Sequence, residues 1–223
     1  MAKNIHQGAV LVVGLGRFGS ALAEDLQRLG HDVMAVDASR ALVQEWSERL
    51  THVVQADATN EATMRQLGAD GFSVAVVAIG TGIEASVLST SVLIDIGVRE
   101  VWAKAITAPH GRILERIGAG HVVYPERDTG RRVAHLISGR LIDYIEFDDG
   151  FAIAKLGAPL EAHGRTMAEA ALRSRYGVTV VGIKRPGQDF TYARPETRVN
   201  AGDVLIVSGS TKLVEKFAAE TGA

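Results

Sequence analysis

The chain has 223 residues, 47% of them hydrophobic, and a formal net charge of -2, enough apolar material for one large core or two smaller ones. Charges of both signs are scattered along it, so nothing marks a nucleic-acid binder or a polybasic membrane-surface segment, and zero cysteines exclude disulfides, thiolate metal sites and cysteine nucleophiles. Met1 to Gln7 lack an apolar signal core and no later apolar run reaches bilayer length, so a cytoplasmic protein is expected.

The pattern along the first two thirds alternates strand and helix. Val10 to Val13 read as a buried strand running into Gly14-Leu15-Gly16-Arg17-Phe18-Gly19. In such a turn Gly14 lets the strand bend, Gly16 leaves room for a pyrophosphate, and Gly19 lets the next helix approach the strand. The helix start points unpaired amides at an anion. Phe18, Leu22, Leu26 and Leu29 recur at helical spacing before Gly30. Val33 to Val36 then form a second strand with Asp37 at its tip, where a carboxylate either accepts from the ribose hydroxyls of a nucleotide and repels a 2′-phosphate or caps the next helix, a role Ser39 would fill as well. Further strands are expected at Val53 to Asp57, Val74 to Ile79, Val101 to Ala105 and His121 to Tyr124, with helix entries at Ala58-Thr59-Asn60, near Ile83 and at Pro109. Six strands with helical crossovers describe an α/β fold, a doubly wound, Rossmann-type parallel sheet whose ligands sit outside the carboxyl ends of the strands.

That rule selects Gly14 to Gly19, Asp37-Ala38, Asp57-Ala58-Thr59, Ile79-Gly80-Thr81, Lys104-Ala105 and Pro125-Glu126. Asp57 and Thr59 either flank an adenine or cap the helix that follows. Lys104, a charge in an apolar strand, needs an anionic partner, which a nucleotide phosphate or Glu126 would supply. Arg17 is placed to fork onto a terminal phosphate or stand in solvent.

From about Ser138 the pattern changes. Strands at Leu141 to Phe147 and Phe151 to Leu156 flank the turn Asp148-Asp149-Gly150, Thr166 and Glu169 have capping-box spacing for a helix through Leu172, and strands follow at Val178 to Ile183 and Asp203 to Val207. Leu213, Val214 and Phe217 share one face of a closing helix. This predicts a nucleotide-binding domain with a crossover helix over 1-140 and a smaller α+β domain over 141-223. No convergent acid, base or nucleophile set emerges, and the seven histidines are scattered. A glycine turn implies binding and does not by itself imply hydride transfer, so a small NAD(P)-dependent oxidoreductase stands as the alternative to a non-enzymatic binder.

Val12-Val-Gly-Leu-Gly-Arg-Phe-Gly19, Asp37, Asp57-Ala-Thr59, Val77-Ala-Ile-Gly80, Val101-Trp-Ala-Lys104 and Val123-Tyr-Pro-Glu126-Arg-Asp-Thr-Gly130 closely resemble bacterial RCK proteins, the regulators of potassium conductance that serve Ktr and Trk potassium-uptake systems. Tyr176 to Lys184 and Ala201 to Val207 are similar to the second half of that family. The resemblance implies a cytosolic sensor of ATP or ADP, or of NADH as in some relatives, that dimerises, assembles into an octameric ring and docks on a separate membrane-embedded potassium transporter subunit of the KtrB or TrkH kind. It implies that Gly14, Gly16, Phe18 and Gly19 shape the phosphate turn, Asp37 holds the ribose, and Asp57, Ala58 and Thr59 wall the adenine, with Ile79, Gly80 and Lys104 completing the site. Arg17 is then the sensor of the terminal phosphate across the dimer, and Glu126 the acid that holds a divalent cation or Na+ beside the phosphates. Some relatives bind cyclic di-AMP between two C-terminal domains, where this chain has Arg173, Arg175, Val178, Val180 and Pro195. Those residues fit a flat base and phosphodiester, and fit equally a solvated helix end beside a core strand.

Overall fold

A computed structural model describes residues 8-137, 141-147 and 149-221. The expected change of pattern at Ser138, the boundary at 140, Asp148 of the expected turn and the tail Met1 to Gln7 lie outside the described residues. The chain divides into two compact units, Met1–Glu126 and Arg127–Ala223.

In the first unit six strands, β1 (Val10–Val13), β2 (Val33–Asp37), β3 (His52–Gln55), β4 (Val74–Val77), β5 (Glu100–Lys104) and β6 (His121–Val123), form one sheet in the order β3-β2-β1-β4-β5-β6. Every pairing is parallel, with Val13 beside Val36 on one side and Val77 on the other. The order reverses at β1, so the connections that follow the parallel strands β1 and β4 run to opposite sides and open a crevice at the strands' carboxyl ends. Strand side chains alternate between faces. Leu11 and Val13 pack with Met64, Leu93 and Leu114 from α3 (Glu61–Gln66), α4 (Ile83–Asp95) and α5 (Ala108–Arg116). Val10 and Val12 pack with Ala23 of α1 (Arg17–Arg28) and Trp46 of α2 (Arg40–Trp46). Burial on both faces is why these strands are continuous apolar runs rather than alternating ones.

The second unit begins within α6 (Pro125–Ile137). Strands β7 (Asp143–Glu146), β8 (Phe151–Gly157), β9 (Thr179–Lys184), β10 (Phe190–Tyr192) and β11 (Val204–Ser210) make an antiparallel sheet in the order β10-β9-β11-β8-β7. Its buried face, Tyr144, Ala152, Ala154, Leu156, Leu205 and Val207, packs on Val214 and Phe217 of α9 (Thr211–Thr221). The predicted capping box is formed, with Thr166 Oγ1 accepting from the Glu169 amide and Glu169 accepting from the Thr166 amide. The helix it opens is α7 (Met167–Ala170), which stops where Ala171 takes a left-handed conformation at φ 48°, before α8 (Leu172–Tyr176). One continuous helix through Leu172 was the expectation, and the left-handed residue breaks it.

Candidate functional site

The glycine turn lies at the reversal of strand order. Gly14 is buried at φ +99°, its amide donating to the Val36 carbonyl at 2.7 Å, and only glycine adopts that backbone without strain beside the Ala78 carbonyl group. A Cβ on Gly19 would collide with the Gly14 carbonyl oxygen, so the missing side chain lets α1 approach the turn. Gly16 differs from both, because a Cβ there would meet nothing within 4 Å: its bareness leaves open space on the cleft side. Gly16 is also the N-cap of α1 and offers no side-chain cap, whereas Ser39, Asn60 and Thr107 cap α2, α3 and α5. The first turn of α1 carries no acid and starts with Arg17, a cation at the positive end of the helix dipole. Both features are unfavourable alone and become favourable with an anion at this helix end.

Asp37, at the end of β2, accepts from the Leu15 amide through Oδ2 and from the Ser39 amide through Oδ1, each at 2.7 Å. It thereby ties the glycine turn to the start of α2, and a carboxylate with about four lone-pair sites retains acceptor capacity for two hydroxyls. Asp57 accepts from the Thr59 amide at 2.9 Å and the Thr59 hydroxyl at 2.7 Å, bonds that hold its carboxyl below the usual aspartate range. These bonds close a local turn, and the helix that follows is capped by Asn60 rather than by Asp57 or Thr59. Lys104 is buried on β5, and its ammonium donates to Glu126 Oε1 at 2.6 Å. The Lys104 bond, and more weakly the charge of Arg17, pull the Glu126 carboxyl below its ordinary value. The Phe18 ring centroid lies 5.7 Å from the same ammonium, within cation–π range.

These strand ends enclose a cleft of about 480 Å³, within the range of small-molecule sites. Gly14, Gly16, Arg17, Phe18, Asp37, Asp57, Ala58, Thr59, Ile79, Gly80, Lys104 and Glu126 all line it, while Gly19 lies beneath the turn. Ser39, Leu42, Ala85 and Ser89 line it too and were not among the expected site residues, which were taken only from loops after strands. Ala85 and Ser89 are one turn apart on α4, and this pair of small residues in a mostly apolar helix is the signal that would have found them. Ser89 is fully buried and its hydroxyl has no hydrogen-bond partner. The open space beside Gly16, the uncapped helix start and the acceptor at Asp37 suit a nucleotide. Among the described residues no three His, Cys, Asp or Glu side chains converge as a metal cluster, so a cation beside Glu126 would need oxygens from a phosphate or from a second copy.

The C-terminal candidates differ in their surroundings. Val178 is fully buried in the core of the second unit, Val180 packs against that core, and Pro195 is exposed. Arg173 is exposed on α8, and Arg175 is committed to Glu161 at 2.8 Å. Tyr176 also donates to Glu161, at 2.7 Å.

The TrkA-N domain model matches residues 10–125 and the TrkA-C domain model residues 151–222. The chain belongs to the TrkA-domain family, the RCK proteins. This RCK chain is 34% identical to Ktr system potassium uptake protein A of Bacillus subtilis (strain 168), over 92% of its own length and 93% of the relative's. It is 35% identical to the protein of the same name from Vibrio alginolyticus, over 92% of this chain and 94% of that one. Among solved structures it is similar to the GsuK channel bound to NAD, with 26% identity and a TM-score of 0.52, covering 96% of this chain and 38% of that one. It therefore spans well under half of the channel's length.

Proposed function

We propose that this RCK chain is the nucleotide-binding regulatory subunit of a potassium-uptake system, in which ATP and ADP occupy one cleft and favour different states of a separate membrane-embedded transporter subunit. The observation that carries this reading is the phosphate end of the cleft, where the uncapped start of α1 and Arg17 stand with the Lys104–Glu126 pair. One phosphate more or less changes the charge balance there directly. Kinship with Ktr potassium uptake proteins over 92% of the chain supports the process. The same kinship supports a homodimer that brings Arg17 of one copy and Glu126 of both to the nucleotides, an octameric ring built from such dimers, and a place at the cytoplasmic face of the membrane through the partner. Among the described residues no helix is long and apolar enough to cross a membrane, and this reading assigns the conducting path to that partner.

A nucleotide shifts such an equilibrium only by its differential affinity for the two states, typically about 1–3 kcal/mol of coupling. The test is potassium flux through the reconstituted complex with ATP and with ADP, for wild type, Arg17→Ala and Glu126→Gln. Flux should differ between the nucleotides in wild type and converge in both variants. Equal flux with both nucleotides in wild type refutes the switch. A second reading, that the cleft senses NAD or NADH, is favoured by the NAD carried by the GsuK channel. The nucleotide that copurifies with the chain separates the two. Steady oxidation of NADH in the presence of carbonyl compounds would instead favour an oxidoreductase.

A further inference from the structure

The Lys104–Glu126 pair is asymmetric. The Lys104 side chain is 8% exposed and that of Glu126 61%. Lys104 is fixed on β5 beneath the Phe18 ring, 5.7 Å from its centroid. Gly80 keeps the approach to the ammonium open, since a Cβ there would lie 3.0 Å from Nζ. A buried ammonium must hold an anion, but Glu126, exposed at the start of α6, leaves it at little cost. Both groups line the cleft, whose lining charges are two cations, Arg17 and Lys104, against three carboxylates, Asp37, Asp57 and Glu126. A polyphosphate entering this cleft meets a net excess of negative charge, and the more deeply buried of its two cations is already taken.

We infer that Glu126 is an internal competitor for the nucleotide's phosphates: it holds the Lys104 ammonium until a phosphate displaces it, and so sets how strongly the cleft discriminates by phosphate charge. This rests on the nucleotide-binding reading above. A phosphate oxygen carries more charge than a carboxylate oxygen and makes a stronger charge-assisted bond to the ammonium, which gives the exchange its direction. The displaced Glu126 carboxylate, already 61% exposed, keeps a hydrated place at the edge of the cleft, where it stays available to a cation beside the phosphates. Adenosine has no phosphate and gains nothing from the exchange.

The test measures binding of adenosine, ADP and ATP by calorimetry in a chelating buffer, so that no divalent cation bridges Glu126 to the ligand. Glu126→Gln should tighten ATP about tenfold, tighten ADP by less, and leave adenosine unchanged. Lys104→Gln should weaken ATP and ADP by about tenfold or more and leave adenosine unchanged, adenosine serving as the check that the cleft is intact. Where Lys104→Gln fails to fold, the exposed Glu126→Gln decides alone. ATP affinity that is unchanged or weaker in Glu126→Gln overturns the competitor, as does an equal gain for adenosine, which would mean a general loosening of the cleft. Wild-type protein that binds none of the three ligands overturns the nucleotide reading itself, a distinct result.

Discussion

Three glycines within six residues answer three different demands, and substitutions separate them. Gly16 is at φ -64° with open space where its Cβ would be, so Gly16→Val should leave the melting temperature nearly unchanged while abolishing ATP binding by filling the ligand's place. A variant that binds normally in calorimetry would remove the turn from the site. Gly19→Ala should instead cost about 1–3 kcal/mol of stability, the usual range for overpacking, because the methyl meets the Gly14 carbonyl. Asp37 combines both roles. Its Oδ2 is the acceptor for the buried Leu15 amide, and an orphaned buried donor costs about 1–3 kcal/mol. Asp37→Ala should therefore lower thermal stability without ligand and weaken ATP by about 1.5–3 kcal/mol, the worth of a charged hydrogen bond. Unchanged melting together with weaker binding would mean that the turn holds itself.

At the scale of elements, legibility followed burial. The parallel strands were readable because both faces are covered, which makes β1, β2 and β4 unbroken apolar runs. β10 is exposed at all three residues, so no pattern marks it. Its place is set by Gly182 of β9, where a Cβ would collide with the Phe190 ring. Gly182→Ala should destabilise the second unit, and Phe190→Ala should recover part of that loss in a double-mutant cycle. Additive losses would mean that the ring does not lie on the glycine. The Glu161 contact is likewise long-range in sequence: bonds from Tyr176 and then Arg175 to Glu161 hold its carboxyl below the ordinary glutamate value. A lowered folded-state value gives stability that is complete above the unfolded value, about 4.3, and is lost as pH falls through the folded one. Glu161→Gln should thus flatten the acid limb of the stability profile below about pH 4.3 and leave its slope at neutral pH unchanged. An unaltered acid limb would remove this contact from the acid response.

On the scale of the whole molecule, the chain before Glu126 builds a hydrophobic cluster on each face of the parallel sheet and the chain after it builds another on the antiparallel sheet. In the sequence a change of strand pattern is readable near Ser138, with the boundary expected at 140. The cleft was visible only as a row of strand-end loops, because Ala85 and Ser89 enter it from the side of a helix and Ser39 and Leu42 from the helix after Asp37. All cleft-lining residues nevertheless fall between Val13 and Glu126. Glu126 is the second residue of α6, which runs to Ile137, so a fragment of residues 1–137 keeps every lining side chain and the helix that carries the last of them. The sheet in that fragment has both faces covered by its own helices, and a chain of this length buries enough surface to fold alone. It should unfold cooperatively and bind ATP within a few-fold of the full-length affinity, since the turn and the phosphate end are built from residues of the first unit. Circular dichroism and calorimetry on the fragment check both halves of this expectation. A folded fragment that binds ATP more than tenfold weaker would mean that the antiparallel unit takes part in recognition, and an unfolded fragment would mean that the parallel sheet depends on it for stability.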